Sequence, residues 1–233
     1  MTEAYDRERR LWNTLYSECS ALDLRNITLT VEPGFDACLK DFGTKTSRVL
    51  DFGCGTGDIL FQYTQNFPGN KGVGIDQAEQ GIDFAKKTAT LSHYRGLHFF
   101  TGDSRMLADF EEGEFDGIIL SNLLDVVPEP VDEAVLQRLD RVLSPGGYWF
   151  IKLNPYYSAK ELRDLNYQKD SGHLYQEDGV LRLHQETTNH WKKIFKAYGA
   201  VERYMEFMYP WQEGLNRLFL VKKPSRNSCV LAS

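Results

Sequence analysis

The feature that most constrains the fold of this chain is a glycine-rich segment at positions 49–58. Gly53, Gly55 and Gly57 directly follow the β-rich run 47–52 and precede apolar side chains at helical spacing. Glycine permits a tight turn and lets a ligand approach the backbone, because it has no Cβ. The following helix presents unpaired N–H groups and the positive end of its dipole at the same point. This segment predicts a strand–loop–helix unit of a parallel α/β sheet, with a ligand at the carboxyl end of the strand.

Alternating β-rich runs and helical segments continue this pattern along the chain. The predicted parallel strands are 47–52, 71–76, 97–101, 115–121 and 148–153. Two last predicted strands, 201–208 and 217–222, are joined by eight residues. A parallel connection needs a crossover of a dozen or more residues. We therefore predict that the sheet ends in an antiparallel hairpin.

Two further regions flank this alternating core. Apolar side chains near 3.6-residue spacing predict an amino-terminal helix that includes Trp12, followed by a shorter helix at 32–41. Residues 156–185 are polar and aromatic, with a hairpin expected to turn at 177–179. No internal repeat or low-complexity linker divides the sequence, so we expect a single domain.

The charge balance weighs against a nucleic-acid partner. The chain has 27 Lys and Arg against 33 Asp and Glu, a net charge of −6. Proteins that depend on phosphate contacts normally carry a basic face. Four scattered cysteines fit neither a zinc site nor a disulfide scaffold, so we expect reduced thiols and no bound metal. With a charged amino terminus and no apolar run of membrane-spanning length, the sequence predicts a cytoplasmic protein without a membrane partner.

Acidic residues around the glycine-rich segment favour a cationic ligand. Dinucleotide-binding loops have the spacing G-x-G-x-x-G, whereas this loop is G-x-G-x-G with Asp51 before it and Asp58 after it. Two carboxylates repel a diphosphate and suit an ammonium or sulfonium group. Asp76, about 20 residues past the loop, can accept both hydroxyls of a ribose. Asp103 follows the third strand, where its carboxylate suits an adenine amino group. The charge pattern therefore favours S-adenosylmethionine over NAD.

Residues 47–153, and less sharply the whole chain, resemble the class I S-adenosylmethionine-dependent methyltransferases. The resemblance rests on Asp51-x-Gly53-x-Gly55-x-Gly57, on Asp76, on Gly102-Asp103, on the strand 115–121 and on Leu143-x-Pro145-Gly146-Gly147. It implies a Rossmann-like three-layer α/β sandwich with a seven-stranded, mostly parallel sheet. The implied strand order is 3-2-1-4-5-7-6, with strand 7 antiparallel and an N-terminal helical lid over the cofactor.

On this resemblance the single domain has five parts: a helical lid at 1–45, a cofactor-binding core at 46–155, a substrate-specificity insertion at 156–185, a last helix and antiparallel hairpin at 186–223, and a flexible tail at 224–233. The loop would hold the methionine part of S-adenosylmethionine, Asp76 the ribose, and Asp103 with Ser104 the adenine end. S-adenosylhomocysteine would be the product. The expected cofactor-binding residues are Trp12, Asp51, Gly53, Cys54, Gly55, Thr56, Gly57, Asp76, Gln77, Gly102, Asp103, Ser104, Ser121 and Asn122.

The segment after the fourth strand bears on the acceptor. It lacks the Asn-Pro-Pro-Tyr type sequence of amide and nucleobase amino methyltransferases, which counts against those substrates. Asp125 is the candidate catalytic residue: it either accepts a proton or holds a cationic amine, or it caps the turn before Pro128. Asn122 either touches the cofactor or satisfies the loop backbone. An aromatic-lined acceptor pocket is expected from Tyr156, Tyr157, His173, Tyr175, His184 and Trp211.

Together these features predict methyl transfer to a small-molecule acceptor by in-line displacement. The protein then has to hold acceptor and methyl group in geometry for attack and to exclude water, so a dedicated catalytic residue is optional. Two alternatives stay open from the sequence. One is a methyltransferase that acts on a peptide, a protein or RNA, and the other is a catalytically silent S-adenosylmethionine-binding protein.

Overall fold

The computed structural model describes residues 2–127 and 129–225. Its ten strands are β1 (Arg48–Phe52), β2 (Lys71–Asp76), β3 (Leu97–Thr101), β4 (Phe115–Ser121), β5 (Leu143–Leu153), β6 (Gln168–Ser171), β7 (Leu174–Glu177), β8 (Val180–His184), β9 (Ala200–Phe207) and β10 (Asn216–Lys222). Its seven α-helices are α1 (Thr2–Ser17), α2 (Pro33–Lys45), α3 (Asp58–Asn66), α4 (Glu79–Leu91), α5 (Glu129–Val142), α6 (Ala159–Asp164) and α7 (Thr188–Phe195).

Seven strands form the main sheet, in the order β3-β2-β1-β4-β5-β10-β9. β1 to β5 pair in parallel, whereas β10 is antiparallel to both β5 and β9. The predicted strands 6 and 7 are therefore β9 and β10. The predicted fold class, strand order and antiparallel end hairpin are confirmed.

Side chains that alternate across the sheet build two cores and hence three layers. Along β1, Val49 packs on one side with α2, α3 and α4, and its neighbour Leu50 packs on the other with α5 and α7. Along β5, Phe150 and Ile151 divide in the same way. This alternation follows from the two-residue repeat of a strand. The sheet is covered on both faces, so the edge at the carboxyl ends of the parallel strands is left for a ligand.

The segment 1–45 has two helices with different surroundings. In α2, Phe35, Leu39 and Phe42 are buried in the core, and the Glu32 side chain caps the helix by accepting the N–H groups of Gly34 and Phe35. The first helix, α1, instead contacts α4 and β8. Only α1 therefore has the position expected of a lid, whereas α2 is part of the sandwich.

Residues 156–185 contain a second sheet, with the antiparallel order β6-β7-β8. The hairpin expected at 177–179 is present between β7 and β8, and Asp178 and Gly179 both have positive φ, as a tight two-residue turn requires. The strand β6 and its turn at Gly172 were not predicted, because all four residues of β6 are exposed and give no apolar alternation. Across the described residues, no helix is both long and apolar enough to cross a bilayer. Most of the predicted flexible tail lies outside the described residues.

Candidate functional site

A cavity of about 470 Å³ opens at the carboxyl ends of β1, β2 and β4, beneath α1. We call it the larger cavity. Its wall includes the glycine loop after β1, the end of β2, the segment after β4 and one face of α1. This is the edge at which open parallel α/β sheets bind ligands, as the glycine-rich segment predicts.

The glycine loop is held in place by backbone hydrogen bonds to β2. The N–H groups of Gly53 and Cys54 donate to the Ile75 carbonyl at 2.8 and 3.1 Å. Gly55 has a φ of +53°, and a Cβ there would lie 2.7 Å from the hydroxyl oxygen of Tyr16. A side chain at position 55 would thus meet both backbone strain and a clash with α1.

Asp51 is 1% exposed and places a carboxylate in the wall of the larger cavity. Among the described residues its Oδ1 atom has no hydrogen-bond partner. Burial raises the pKa of the Asp51 carboxyl well above its usual range, and the charges of Asp76 and Asp58 add to the shift. This site strongly disfavours an isolated negative charge and would be stabilised by a cation.

Asp76 supports the loop and faces the same cavity. Its Oδ2 atom accepts the Gly55 N–H and its Oδ1 atom accepts the Ala78 N–H, both at 2.8 Å. Burial raises the pKa of Asp76, and these backbone hydrogen bonds oppose the shift. A carboxylate has about four lone-pair positions. Each oxygen of Asp76 therefore keeps capacity for a further donor.

Of the fourteen predicted cofactor-binding residues, eleven lie in the wall of the larger cavity. They are Trp12, Asp51, Gly53, Cys54, Gly55, Thr56, Asp76, Gln77, Gly102, Ser121 and Asn122. Their individual contacts with a cofactor stay predictions.

The other three predicted residues lie outside that wall in the described part of the chain. Gly57 precedes α3 with a φ of +82°, and a Cβ there would lie 2.7 Å from the Phe99 ring, so packing and conformation account for this glycine. The Asp103 carboxylate accepts hydrogen bonds from the Arg105 guanidinium, which lower the pKa of Asp103. The Ser104 hydroxyl accepts a hydrogen bond from Arg138 at 3.0 Å. An adenine contact by Asp103 would require rearrangement of its pairing with Arg105.

Four residues of α1 line the larger cavity, and of these the sequence analysis proposed only Trp12 as a cofactor-binding residue. Trp12 is 36% exposed and stacks on Tyr16, with ring centroids 5.5 Å apart. Glu8 lies one helical turn before Trp12 and also lines the cavity. Helical spacing predicts which residues share a face of α1. No local pattern in the sequence distinguishes a glutamate that faces a cavity from one that faces solvent.

The predicted catalytic residue Asp125 is not in contact with either cavity described by the structure. Its side chain is fully buried, and its Oδ2 atom accepts the Asn154 N–H. Burial raises the pKa of Asp125, opposed by that hydrogen bond and by the charges of Lys152 and Arg217. This carboxylate connects the segment after β4 to the end of β5. A role for Asp125 in turnover would therefore act through the position of its neighbours, and Pro128 lies outside the described residues.

Lys152 is a buried cation that the sequence analysis missed. It is 0% exposed, and its Nζ atom donates to Asn122 Oδ1 at 2.6 Å and lies 4.8 Å from the centroid of the Tyr209 ring. Burial lowers the pKa of Lys152 to about 8, and the charge of Asp125 opposes this shift. Asn122 has a φ of +52°, a conformation that asparagine tolerates. The sequence feature that could have indicated this cluster of Lys152, Asn122 and Tyr209 is a lysine within the otherwise apolar run of β5.

A smaller cavity of about 210 Å³ lies beside the larger one, and we call it the smaller cavity. Its wall combines α1, the segment after β4, residues near α6 and the strand β8. Of the aromatic and titratable residues predicted for an acceptor pocket, Tyr157 lines the smaller cavity, and Trp211 lines the larger one although it is 70% exposed. His173 and His184 instead approach Glu186, with nitrogen-to-oxygen distances of 3.5 and 3.9 Å.

Comparisons with known proteins agree with this geometry. Residues 49–147 match the family model described as "Methyltransferase domain". The chain is 27% identical to the tRNA N(3)-cytidine methyltransferase METTL2B of Homo sapiens over 75% of the chain and 47% of that protein. It is 31% identical to the ubiquinone biosynthesis O-methyltransferase of Neisseria meningitidis over 46% of the chain and 45% of that protein. The chain spans about half the length of the curated relatives it matches.

A solved structure with the same fold is the 1,6-didemethyltoxoflavin-N1-methyltransferase of Burkholderia thailandensis, determined with S-adenosylhomocysteine bound. It is 17% identical, with a TM-score of 0.63 over 83% of this chain and 78% of that one. Residues 49–147 of the chain therefore match the methyltransferase-domain family. The strand order of the main sheet is the one expected for class I S-adenosylmethionine-dependent methyltransferases.

Proposed function

We propose that this protein is an enzyme that transfers the methyl group of S-adenosylmethionine to a small-molecule acceptor and releases S-adenosylhomocysteine. One observation carries the proposal. In the wall of the larger cavity, Asp51 presents a buried carboxylate oxygen that has no partner among the described residues. An uncompensated buried charge is unfavourable, and a cationic ligand would offset that cost.

The residues of the larger cavity fit this cofactor. Four carboxyl groups line it, those of Glu8, Asp51, Asp58 and Asp76, against the single guanidinium of Arg9 in the described wall. This excess of negative charge suits an ammonium or sulfonium group and repels a diphosphate. The glycine loop would hold the methionine part beside Asp51, and Asp76 would accept the ribose hydroxyls with its free lone pairs. When bound, the cofactor supplies a methyl group that is attached to a positively charged sulfur. This sulfur is a good leaving group.

The contribution of the chain to the chemistry is then position and exclusion of water. The stacked Trp12 and Tyr16 rings of α1 cover the glycine loop, so they would separate the methyl group from solvent. Holding two reactants in geometry for attack lowers the barrier substantially without any proton-transfer group. The size of the smaller cavity, about 210 Å³, supports a small organic acceptor over a macromolecule.

A second candidate acceptor is RNA, because one relative over 75% of the chain is a tRNA methyltransferase. The net charge of −6 opposes it, since binding to a nucleic-acid backbone rests on cationic side chains. We also propose a cytoplasmic location, because the four scattered cysteines fit reduced thiols and no disulfide scaffold.

Methyl transfer with a radiolabelled methyl group tests the function directly. The purified chain is incubated with methyl-labelled S-adenosylmethionine and either a panel of small phenols, amines and carboxylates or bulk tRNA. We expect label in a small product and none in tRNA above a control variant, Asp51→Asn. Label in tRNA that is lost after ribonuclease treatment would favour the second candidate. No label in either pool, with the cofactor bound, would favour a silent binding protein.

A further inference from the structure

The larger and smaller cavities are neighbours that share part of their walls. Glu8, Trp12, Asn122 and Val126 line both of them. These four residues therefore mark the junction between the two cavities. If the larger cavity holds the cofactor, as proposed above, a molecule in the smaller cavity would meet it at this junction.

Five of the eleven residues that line the smaller cavity come from the insertion at 156–185, and hydrogen bonds and ring packing hold part of this wall in place. Gln185 fixes the backbone of Tyr157, because its side chain accepts the Tyr157 N–H at 2.9 Å and donates to the Tyr157 carbonyl at 3.1 Å. The Tyr157 and Tyr167 rings pack edge to face, with centroids 6.5 Å apart. Leu181 and Leu183 add apolar surface from β8. The same wall also carries the polar side chains of Asn122, Asn154 and Gln212. Apolar and aromatic surface beside convergent polar groups is typical of a pocket for a small organic molecule.

Two groups of opposite charge line this otherwise neutral wall, Glu8 on α1 and Arg182 on β8. Arg182 contacts Glu177, with 3.4 Å between Nε and Oε2, but this Nε atom makes no hydrogen bond to the described residues. A guanidinium presents donors in a planar fork that matches a carboxylate. Arg182 is therefore placed to bind an anionic group of a ligand.

Glu8 is the carboxyl group at the junction of the two cavities. Burial raises its pKa to about 7, opposed by a hydrogen bond with Trp12 and by the charge of Arg182, whereas the charge of Asp76 raises it further. A carboxylate with a pKa near the working pH is suited to accept a proton during a reaction and to release it afterwards. Asp125 cannot fill this role by contact, because it lines neither cavity.

We propose that the smaller cavity binds a small organic acid that carries a hydroxyl or amino nucleophile, with the carboxylate of the acid on Arg182 and the nucleophile at the junction beside Glu8. This assignment rests on the proposed methyl transfer. As the nucleophile uses its lone pair to bond the methyl carbon, the carbon–sulfur bond breaks and its electron pair stays on sulfur. The proton of the nucleophile passes to the Glu8 carboxylate and from there to solvent.

Calorimetry in the presence of saturating S-adenosylhomocysteine tests the anion site. The probes are 4-hydroxybenzoate, 4-aminobenzoate and phenol, which lacks the carboxylate. We expect at least one of the acids to bind at least tenfold more tightly than phenol. Arg182→Met should remove that advantage, whereas Arg25→Met, which replaces an exposed arginine paired with Asp23, should retain it. Equal binding of the acids and phenol, no binding of either acid, or an unchanged Arg182→Met variant would overturn the assignment of Arg182.

Proton release on binding tests Glu8 without any need for turnover. A neutral hydroxyl donates to ionised Glu8, so binding should release about half a proton per site at pH 7, where a group with a pKa of about 7 is half ionised. Calorimetry of 4-hydroxybenzoate in two buffers with different ionisation enthalpies measures this number. Glu8→Gln should bind the probe with no such release, while the other charged groups near Glu8, Arg182 and Asp76, stay in place.

The same proton release in the parent and in Glu8→Gln would overturn the role of Glu8. These experiments give different results when the proposed function fails and when only the acceptor assignment fails. Failure of S-adenosylhomocysteine itself to bind would remove the proposed function, and the acceptor assignment with it. Binding of S-adenosylhomocysteine without the expected probe behaviour would remove only the acceptor assignment.

Discussion

The larger and smaller cavities meet at four shared residues, yet their walls are built in different ways. The larger cavity lies at the carboxyl ends of β1, β2 and β4, where short sequence segments fix both the backbone and the functional side chains. The smaller cavity is assembled from α1, β8 and segments near α6, which lie far apart in the sequence. The wall of the larger cavity is thus determined by the sheet. The wall of the smaller cavity depends on how separate elements pack around that cavity.

Beneath the junction, Lys152 connects the two walls through Asn122, and its loss should have the largest effect. Lys152→Met removes one of the two cations near Asp125, of which Arg217 is the other, together with the hydrogen bond to Asn122. Breaking a buried charge pair costs about 3–5 kcal/mol of the free energy of unfolding. Chemical denaturation measures this change. The matched variant Lys169→Met, at an exposed position of β6, should stay within about 0.5 kcal/mol of the parent.

The pH dependence of stability offers a second view of Lys152. Its pKa is about 8 in the folded chain against 10.5 when unfolded. The unfolded state therefore binds more protons between these values, and the Lys152 contribution to stability rises with pH from about 8 to 10.5. Lys152→Met should lack this rise. An unchanged slope in that range would contradict the burial of a lysine under the junction.

In the larger cavity, Asp51→Asn should weaken S-adenosylhomocysteine binding by about 2–3 kcal/mol, the upper range for a hydrogen bond to a charged group. The same variant should make the ligand-free protein more stable at neutral pH. Because the folded-state pKa of Asp51 is raised, its contribution to stability is present at low pH and lost as the pH rises through that value. Thermal unfolding against pH measures this, and a destabilised Asp51→Asn would contradict the unpartnered carboxylate.

Asp76→Ala should weaken cofactor binding by about 1–3 kcal/mol while the fold survives, because it removes the acceptor expected for the ribose hydroxyls. The variant also removes the acceptor for the Gly55 N–H. Asp76→Asn separates these effects, because its side-chain oxygen still accepts one N–H. Affinity equal to that of the parent in both variants would show that Asp76 does not bind the ribose.

The smallest effect is expected at Asp103. Its carboxylate pairs with Arg105, whose side chain is 88% exposed, and exposed ion pairs contribute about 0–1 kcal/mol. If the observed pairing persists with cofactor bound, Asp103→Asn should change cofactor affinity less than Asp76→Asn does. A larger loss for Asp103→Asn would restore the adenine contact that the sequence pattern predicts.

This ordering reflects what the sequence can predict. The strands β1 to β4 and the wall around Asp51 and Asp76 follow from local patterns, because a strand, a glycine turn and a helix determine where the next side chain lies. The strand order was implied only by the resemblance to a known family. Gly57, by contrast, belongs to the same motif but serves packing against Phe99. The glycine motif therefore predicts the backbone conformation more reliably than it predicts which residues contact the cofactor.

The residues that the sequence did not predict depend on distant packing. Glu8 and Arg182 are about 170 positions apart and meet only because α1 lies against β8. Asp125 was chosen for its place after β4, but the fold directs its carboxylate to the Asn154 N–H. No local pattern distinguishes a carboxylate that faces a cavity from one that turns into the protein.

The central claim is that the unpartnered carboxylate of the larger cavity serves a cationic sulfur cofactor. The most direct test is calorimetric titration of the purified chain with S-adenosylmethionine and S-adenosylhomocysteine, with NADH as the control. We predict that the sulfur ligands bind with dissociation constants on the order of micromolar, equivalent to about 8 kcal/mol, and that NADH does not bind. Binding of NADH, or of neither sulfur ligand, would contradict the account.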